Sequence, residues 1–144
     1  MKHIPVIDLS GLNDTIPALA LQKVFFEAYH KVGFAYIINH RISSDLITAV
    51  FDASRRFHAL PQAVKMEIAL DHKHRGYIAI DTSIDVNSKL ATVTKPNQSA
   101  SFMMMREDVT EDRSLYLSGP NQWPDLDNFR SILEVYVKEM NTLG

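Results

Sequence analysis

The chain of 144 residues has no cysteine, which excludes disulfides and thiolate metal sites and fits a reducing, cytoplasmic setting. An excess of one charge is also missing. Fifteen Lys and Arg face 17 Asp and Glu for a formal net charge of −2, so nothing marks a nucleic-acid or anionic-membrane partner. No apolar run approaches the roughly 18 residues that a membrane span needs, and the opening Met1-Lys2-His3-Ile4-Pro5-Val6-Ile7-Asp8 is too short an apolar stretch for a secretion signal. Glycines number five, never as Gly-x-Gly, so no phosphate-cradling loop is available. No Gly-x-Ser-x-Gly elbow occurs either. A three-ligand iron site needs His-x-Asp or His-x-Glu plus a distant histidine. Two places after each of His3, His30, His40, His58, His72 and His74 stand Pro5, Val32, Ile42, Leu60, His74 and Gly76, so that motif is absent.

What remains is one α+β domain, residues 1–144, of a size that buries about two thirds of its unfolded surface. It is organised around Gly33-Phe34-Ala35-Tyr36-Ile37-Ile38-Asn39-His40. Leu21, Val24, Phe25, Ala28 and Val32 recur at helical spacing before this stretch. Asn13, Asp14 and Thr15 offer N-caps, Pro17 suits the first turn, and Gly33 is the stop. Residues 34–38 are too short for a helix and rich in aromatic and β-branched side chains, which predicts a strand buried on both faces. Ile4, Val6 and Ile7 predict an edge strand beside Pro5.

A second helix starts at Ser43 or Ser44 and carries Leu46, Ile47, Val50, Phe51, Ser54 and Phe57 on one side. Pro61 opens a short third helix through Val64 and Ile68. The segment Asp71-His72-Lys73-His74-Arg75-Gly76 reads as polar and exposed, followed by a strand over residues 77–80. Residues 81–99 lose periodicity and read as a long loop, and residues 101–105 restore a strand. The last helix begins near Asp127 with Phe129, Leu133, Tyr136, Met140 and Leu143 at helical spacing. Its apolar stripe is still running at Gly144, so a longer polypeptide is expected.

Four groups of residues could carry chemistry, each with a plainer reading. Asp71, His72 and His74 alternate as metal ligands on an extended segment would, or form a solvated turn. Arg41-Ile42-Ser43 has the Arg-x-Ser form that can hold a dicarboxylate, while Ser43 equally suits a helix N-cap. Met103-Met104-Met105 could line a plastic pocket or fill a core. Arg75 beside Gly76 and Tyr77 reads as an exposed planar cation for a carboxylate, or as a plain surface arginine.

In order along the chain stand Ile4-Pro5-Val6-Ile7-Asp8-Leu9-Ser10, the stretch 33–40, Phe57-His58-Ala59-Leu60-Pro61 with Lys65, and Arg75-Gly76-Tyr77. Asn121-Gln122-Trp123-Pro124 then precedes Phe129-Arg130, Tyr136 and Met140. This series resembles the N-terminal region of the isopenicillin N synthase-like iron(II) and 2-oxoglutarate-dependent dioxygenases. The resemblance implies helices and short strands packing on a jelly-roll core that is missing from this chain and carries the iron ligands and the 2-oxoglutarate arginine. It implies hydroxylation, desaturation or ring closure of a small molecule, with iron(II) and 2-oxoglutarate bound in the full-length enzyme and no cofactor here. Arg75 and Tyr77, matching the family's Arg-Gly-Tyr, would face substrate. One local departure is Arg41, where the family usually has glycine.

A different class of function is a non-catalytic binding module that self-associates through Phe129, Leu133, Tyr136 and Met140 on the last helix. A third is a hydrolase using Asp71, His72 or His74.

Overall fold

The computed structural model describes residues 3–11, 17–82, 94–107 and 115–143. In chain order it has β1 (Val6–Asp8), α1 (Pro17–Lys31), β2 (Tyr36–Ile38), α2 (Ser44–His58), α3 (Gln62–Met66), β3 (Gly76–Ile78), β4 (Ser101–Met103) and α4 (Phe129–Leu143), an α+β set. Asn13, Asp14 and Thr15, and the middle of the 81–99 segment, lie outside the described residues. No described helix is long and apolar enough to cross a membrane. The chain divides into two compact units, Met1–Ile47 with Val137–Gly144 and Thr48–Tyr136.

In the first unit β1 and β2 pair in parallel, Val6 opposite Tyr36, Ile7 opposite Ile37 and Asp8 opposite Ile38. The helix α1 stops where the glycine requires. The amides of both Val32 and Gly33 donate to Ala28 O, and Gly33 takes φ 98°, a left-handed cap that costs glycine nothing. Ile7, Leu9 and Ala28 form the buried cluster, with Leu21, Phe25, Ala35, Ile37 and Leu143 against it. The expectation of a strand buried on both faces is corrected. Phe34, Tyr36 and Ile38 are 56%, 62% and 45% exposed, because the period of two sends Ala35 and Ile37 into this cluster and the other three residues to the opposite face.

The second unit is built on aromatic packing. β3 and β4 pair antiparallel, Gly76 opposite Met103, Tyr77 opposite Phe102 and Ile78 opposite Ser101. Ala53, Phe57, Tyr77 and Phe129 form the buried core, and Ile68, Phe102, Trp123 and Leu133 are among the side chains packed on it. Phe57 meets Tyr77 and Phe102 edge-on, at centroid distances of 5.8 and 5.2 Å, an arrangement rings prefer over face-to-face stacking. The start of α4 falls two residues later than expected. Asn128 adopts φ 59°, outside the helical region, while its carbonyl accepts the first helical bond from Ile132. Phe129, expected on a self-association stripe, is 2% exposed and covered by its own unit, with Leu133 packed against the same core.

Candidate functional site

The turn that delivers Arg75 is made by Asp71. Its Oδ1 accepts from the amides of Lys73 and Arg75 at 2.9 and 3.1 Å, and its carbonyl accepts from the His74 amide at 3.0 Å. A carboxylate so engaged is an Asx-turn former. His72 and His74 are exposed on that turn. Among the described residues no three His, Asp or Glu side chains come together in a way that could hold a metal ion. The described residues therefore gather no ligand set that fits an iron site.

The reading of Arg75 as an exposed cation is also corrected, since it is 1% exposed. Gly76 lets this happen. At φ 117° it brings β3 against the chain before the turn so closely that a Cβ would sit 2.3 Å from Ile68 O, and the Tyr77 amide donates to that same carbonyl at 2.7 Å. Turned inward, the guanidinium donates from Nε to Asn121 Oδ1 at 3.1 Å, from Nη1 to Lys73 O at 3.2 Å and Leu117 O at 2.6 Å, and from Nη2 to Arg106 O at 3.2 Å. Four bonds donated from three nitrogens of one rigid plane suit a guanidinium with its five N–H groups, whereas an ammonium has three on a single nitrogen.

Asn121 extends the network. Its Oδ1 also accepts from Met105 N at 2.8 Å, while its Nδ2 donates to Met105 O at 2.8 Å and Glu107 Oε2 at 2.6 Å. The side-chain amide thus pairs with one residue's N–H and C=O as a neighbouring strand would. Its orientation is settled by two donors on one side and two acceptors on the other. Trp123 Nε1 donates to Glu107 at 3.3 Å, and Gln122 Nε2 donates to Ala69 O at 3.0 Å and Arg75 O at 2.7 Å. Glu107, Asn121 and Gln122 escaped sequence reasoning as site residues. The only available signal was the presence of Asn121-Gln122-Trp123-Pro124 in the family-like series.

Tyr77 is 3% exposed, its hydroxyl donating to Gln62 Oε1 at 3.2 Å and its ring beneath Lys65 Nζ at 5.4 Å. The same ammonium donates to His58 O at 2.9 Å. Burial first, and then the charge of Lys65, hold the half-buried His58 imidazole below its ordinary pKa, because both disfavour its cationic form.

In the first unit Ser43 is an N-cap. Its Oγ accepts from the Asp45 amide at 3.2 Å and its carbonyl from Ile47 at 3.1 Å. Arg41 adopts φ 65° and Asn39 φ 57°, so the turn keeps the conformation that glycine would favour. Asn39 Nδ2 donates to Asp8 Oδ1 at 2.7 Å, and this bond, followed by that from the Ser10 amide, holds the Asp8 carboxyl below its usual value. A cleft of about 190 Å³ is lined by Leu9, residues 39–42, Glu139, Thr142 and Leu143. Neither Arg75 nor Tyr77 lines it.

Against this geometry stand the comparisons with known proteins. Residues 4–126 match the family model described as the non-haem dioxygenase in morphine synthesis N-terminal domain. A 2-oxoglutarate-Fe(II) type oxidoreductase of Emericella nidulans is 32% identical over 140 residues, covering 88% of this chain and 38% of its own length. A homoarginine-6-hydroxylase of Arabidopsis thaliana is 28% identical, covering 95% of this chain and 44% of the relative. Among solved structures, a full-length Neurospora crassa protein crystallised in complex with alpha-KG aligns at a TM-score of 0.75 and 29% identity, over 97% of this chain and 43% of that one. The chain thus spans about two fifths of the length of these relatives. With residues 4–126 matched, it belongs to the family of non-haem dioxygenase N-terminal domains.

Proposed function

We propose that these 144 residues are the N-terminal scaffold and substrate-side region of a non-haem iron(II), 2-oxoglutarate-dependent oxygenase. It would hydroxylate, desaturate or ring-close a small molecule, with iron and cosubstrate held by residues other than these. The reading rests chiefly on the family match across residues 4–126 in a chain where no histidine precedes an acid by two positions. The oxidising chemistry would come from iron(II), oxygen and 2-oxoglutarate, and this chain would contribute shape. A missing jelly-roll core is part of the same proposal.

Arg75 and Tyr77 belong to the substrate side of this reading. Burial of both side chains, at 1% and 3% exposure, favours action through the segments they hold over direct contact. Calorimetric titration of the chain with iron(II) under anaerobic conditions tests the assignment. The expected isotherm is no tighter than that of a His72→Ala/His74→Ala control. Stoichiometric, tight binding that persists in the control would overturn it.

A further inference from the structure

The carbonyls of Arg106 and Leu117 are 11 positions apart in the chain, yet both accept from one guanidinium, that of Arg75. Met105 and Asn121, just outside that pair, are joined by two bonds through the Asn121 amide. Two consecutive rungs thus bring together the stretch leaving β4 and the stretch approaching α4. Arg75 supplies the inner rung and Asn121 the outer one, and the Arg75 Nε to Asn121 Oδ1 bond ties the rungs to each other.

The charge is handled by relay. The direct acceptors of the buried guanidinium are three carbonyls and an amide oxygen, and Asn121 passes the interaction to the Glu107 carboxylate at 2.6 Å. Buried charges are otherwise costly to desolvate, so an arginine kept 1% exposed in a loop region calls for a role that offsets its desolvation. Direct ligand binding is a poor candidate for that role, because the Nε, Nη1 and Nη2 atoms are each already engaged by protein acceptors.

We infer that Arg75 is a positioning residue. It fixes the relative placement of residues 105–107 and 117–123 from behind, and it sets the surface those segments present without touching a ligand itself. Calling that surface substrate-facing rests on the oxygenase reading above. The pin itself does not.

The test uses hydrogen exchange and side-chain NMR on the full chain with Arg75→Lys and, as a second variant, Glu107→Gln, which removes the relayed charge and keeps Arg75. In Arg75→Lys the amides of Met105, Ser118 and Asn121 should exchange about tenfold faster, while those of Ala53 to Phe57 in α2 change less than about threefold. Glu107→Gln should accelerate the same three amides by a smaller factor. In the wild-type chain the Arg75 Nε–H signal should be slow to exchange and unmoved by acetate or succinate. Acceleration spread equally over α2 would reduce Arg75 to a general stability element and overturn the proposal. Saturable movement of the Nε–H signal by either carboxylate would overturn it in favour of direct binding. If Arg75→Lys fails to fold, the Glu107→Gln exchange pattern and the wild-type carboxylate titration decide the matter. The iron titration has a separate outcome, so failure of the oxygenase reading and failure of the pin are told apart.

Discussion

Arg75 Nε donates to Asn121 Oδ1 at 3.1 Å across 46 positions of sequence, and the two residues are 1% and 8% exposed. Each helps make the other's burial tolerable: the amide gives the cation an acceptor, and the cation supplies one of the two donors to Asn121 Oδ1.

Asn121→Ala should therefore be among the costliest polar substitutions. It strips a partner from Arg75 Nε, Met105 N and Met105 O together, and unsatisfied buried groups cost about 1–3 kcal/mol each before relaxation. A net loss of about 3 kcal/mol is expected, seen as a fall in Tm of about 6–12 °C for a chain of this size. A change under about 2 °C in thermal denaturation would show that water replaces the amide freely.

Two glycines with positive φ should respond differently to alanine. Gly33 at φ 98° has nothing within 4 Å of the place a Cβ would take, whereas a Cβ on Gly76 would meet Ile68 O at 2.3 Å and Gln122 Nε2 at 2.8 Å. Gly33→Ala carries only the conformational cost, about 1–2 kcal/mol. Gly76→Ala adds a backbone clash and should lose about 3 kcal/mol or more. Urea unfolding of both variants checks the order.

Arg41 sits at φ 65°, a strain of order 1 kcal/mol for a residue with a Cβ. Arg41→Gly should raise stability by up to about 0.5 kcal/mol, because the relief of strain exceeds the extra chain entropy of glycine, about 0.4–1 kcal/mol, by only a little. A urea midpoint below wild type would mean that the arginine side chain contributes more than its backbone costs.

His58 should make stability fall on mild acidification. Burial and Lys65 depress its folded pKa below 6.5, so between that depressed value and 6.5 the unfolded chain binds more protons than the folded one. Stability is then fully present above about pH 6.5 and lost as pH falls through the folded pKa. Comparing Tm at pH 7.5 and 5.5 for wild type and His58→Gln checks this. The variant should show the shallower dependence, and an unchanged slope would assign the effect to other groups.

The parts of this fold that were legible in advance are those governed within one or two turns of chain. Gly33 ends α1 because steric exclusion at positive φ is a property of one residue, and Ser43 caps α2 because its hydroxyl reaches an amide two positions on. The family-like series was equally local, each piece a few residues long.

What escaped the sequence depends on atoms far away along it. Arg75, read as exposed, is buried because carbonyls 31 and 42 positions distant turn toward it, and no pattern around residue 75 encodes them. Phe34, Tyr36 and Ile38 look like a core strand by composition, yet pairing with β1 and packing of only the alternate face decide their exposure. Periodicity and capping are short-range forces that a single chain carries with it. Desolvation is collective, and only the assembled structure says which polar group has gathered enough partners to leave water.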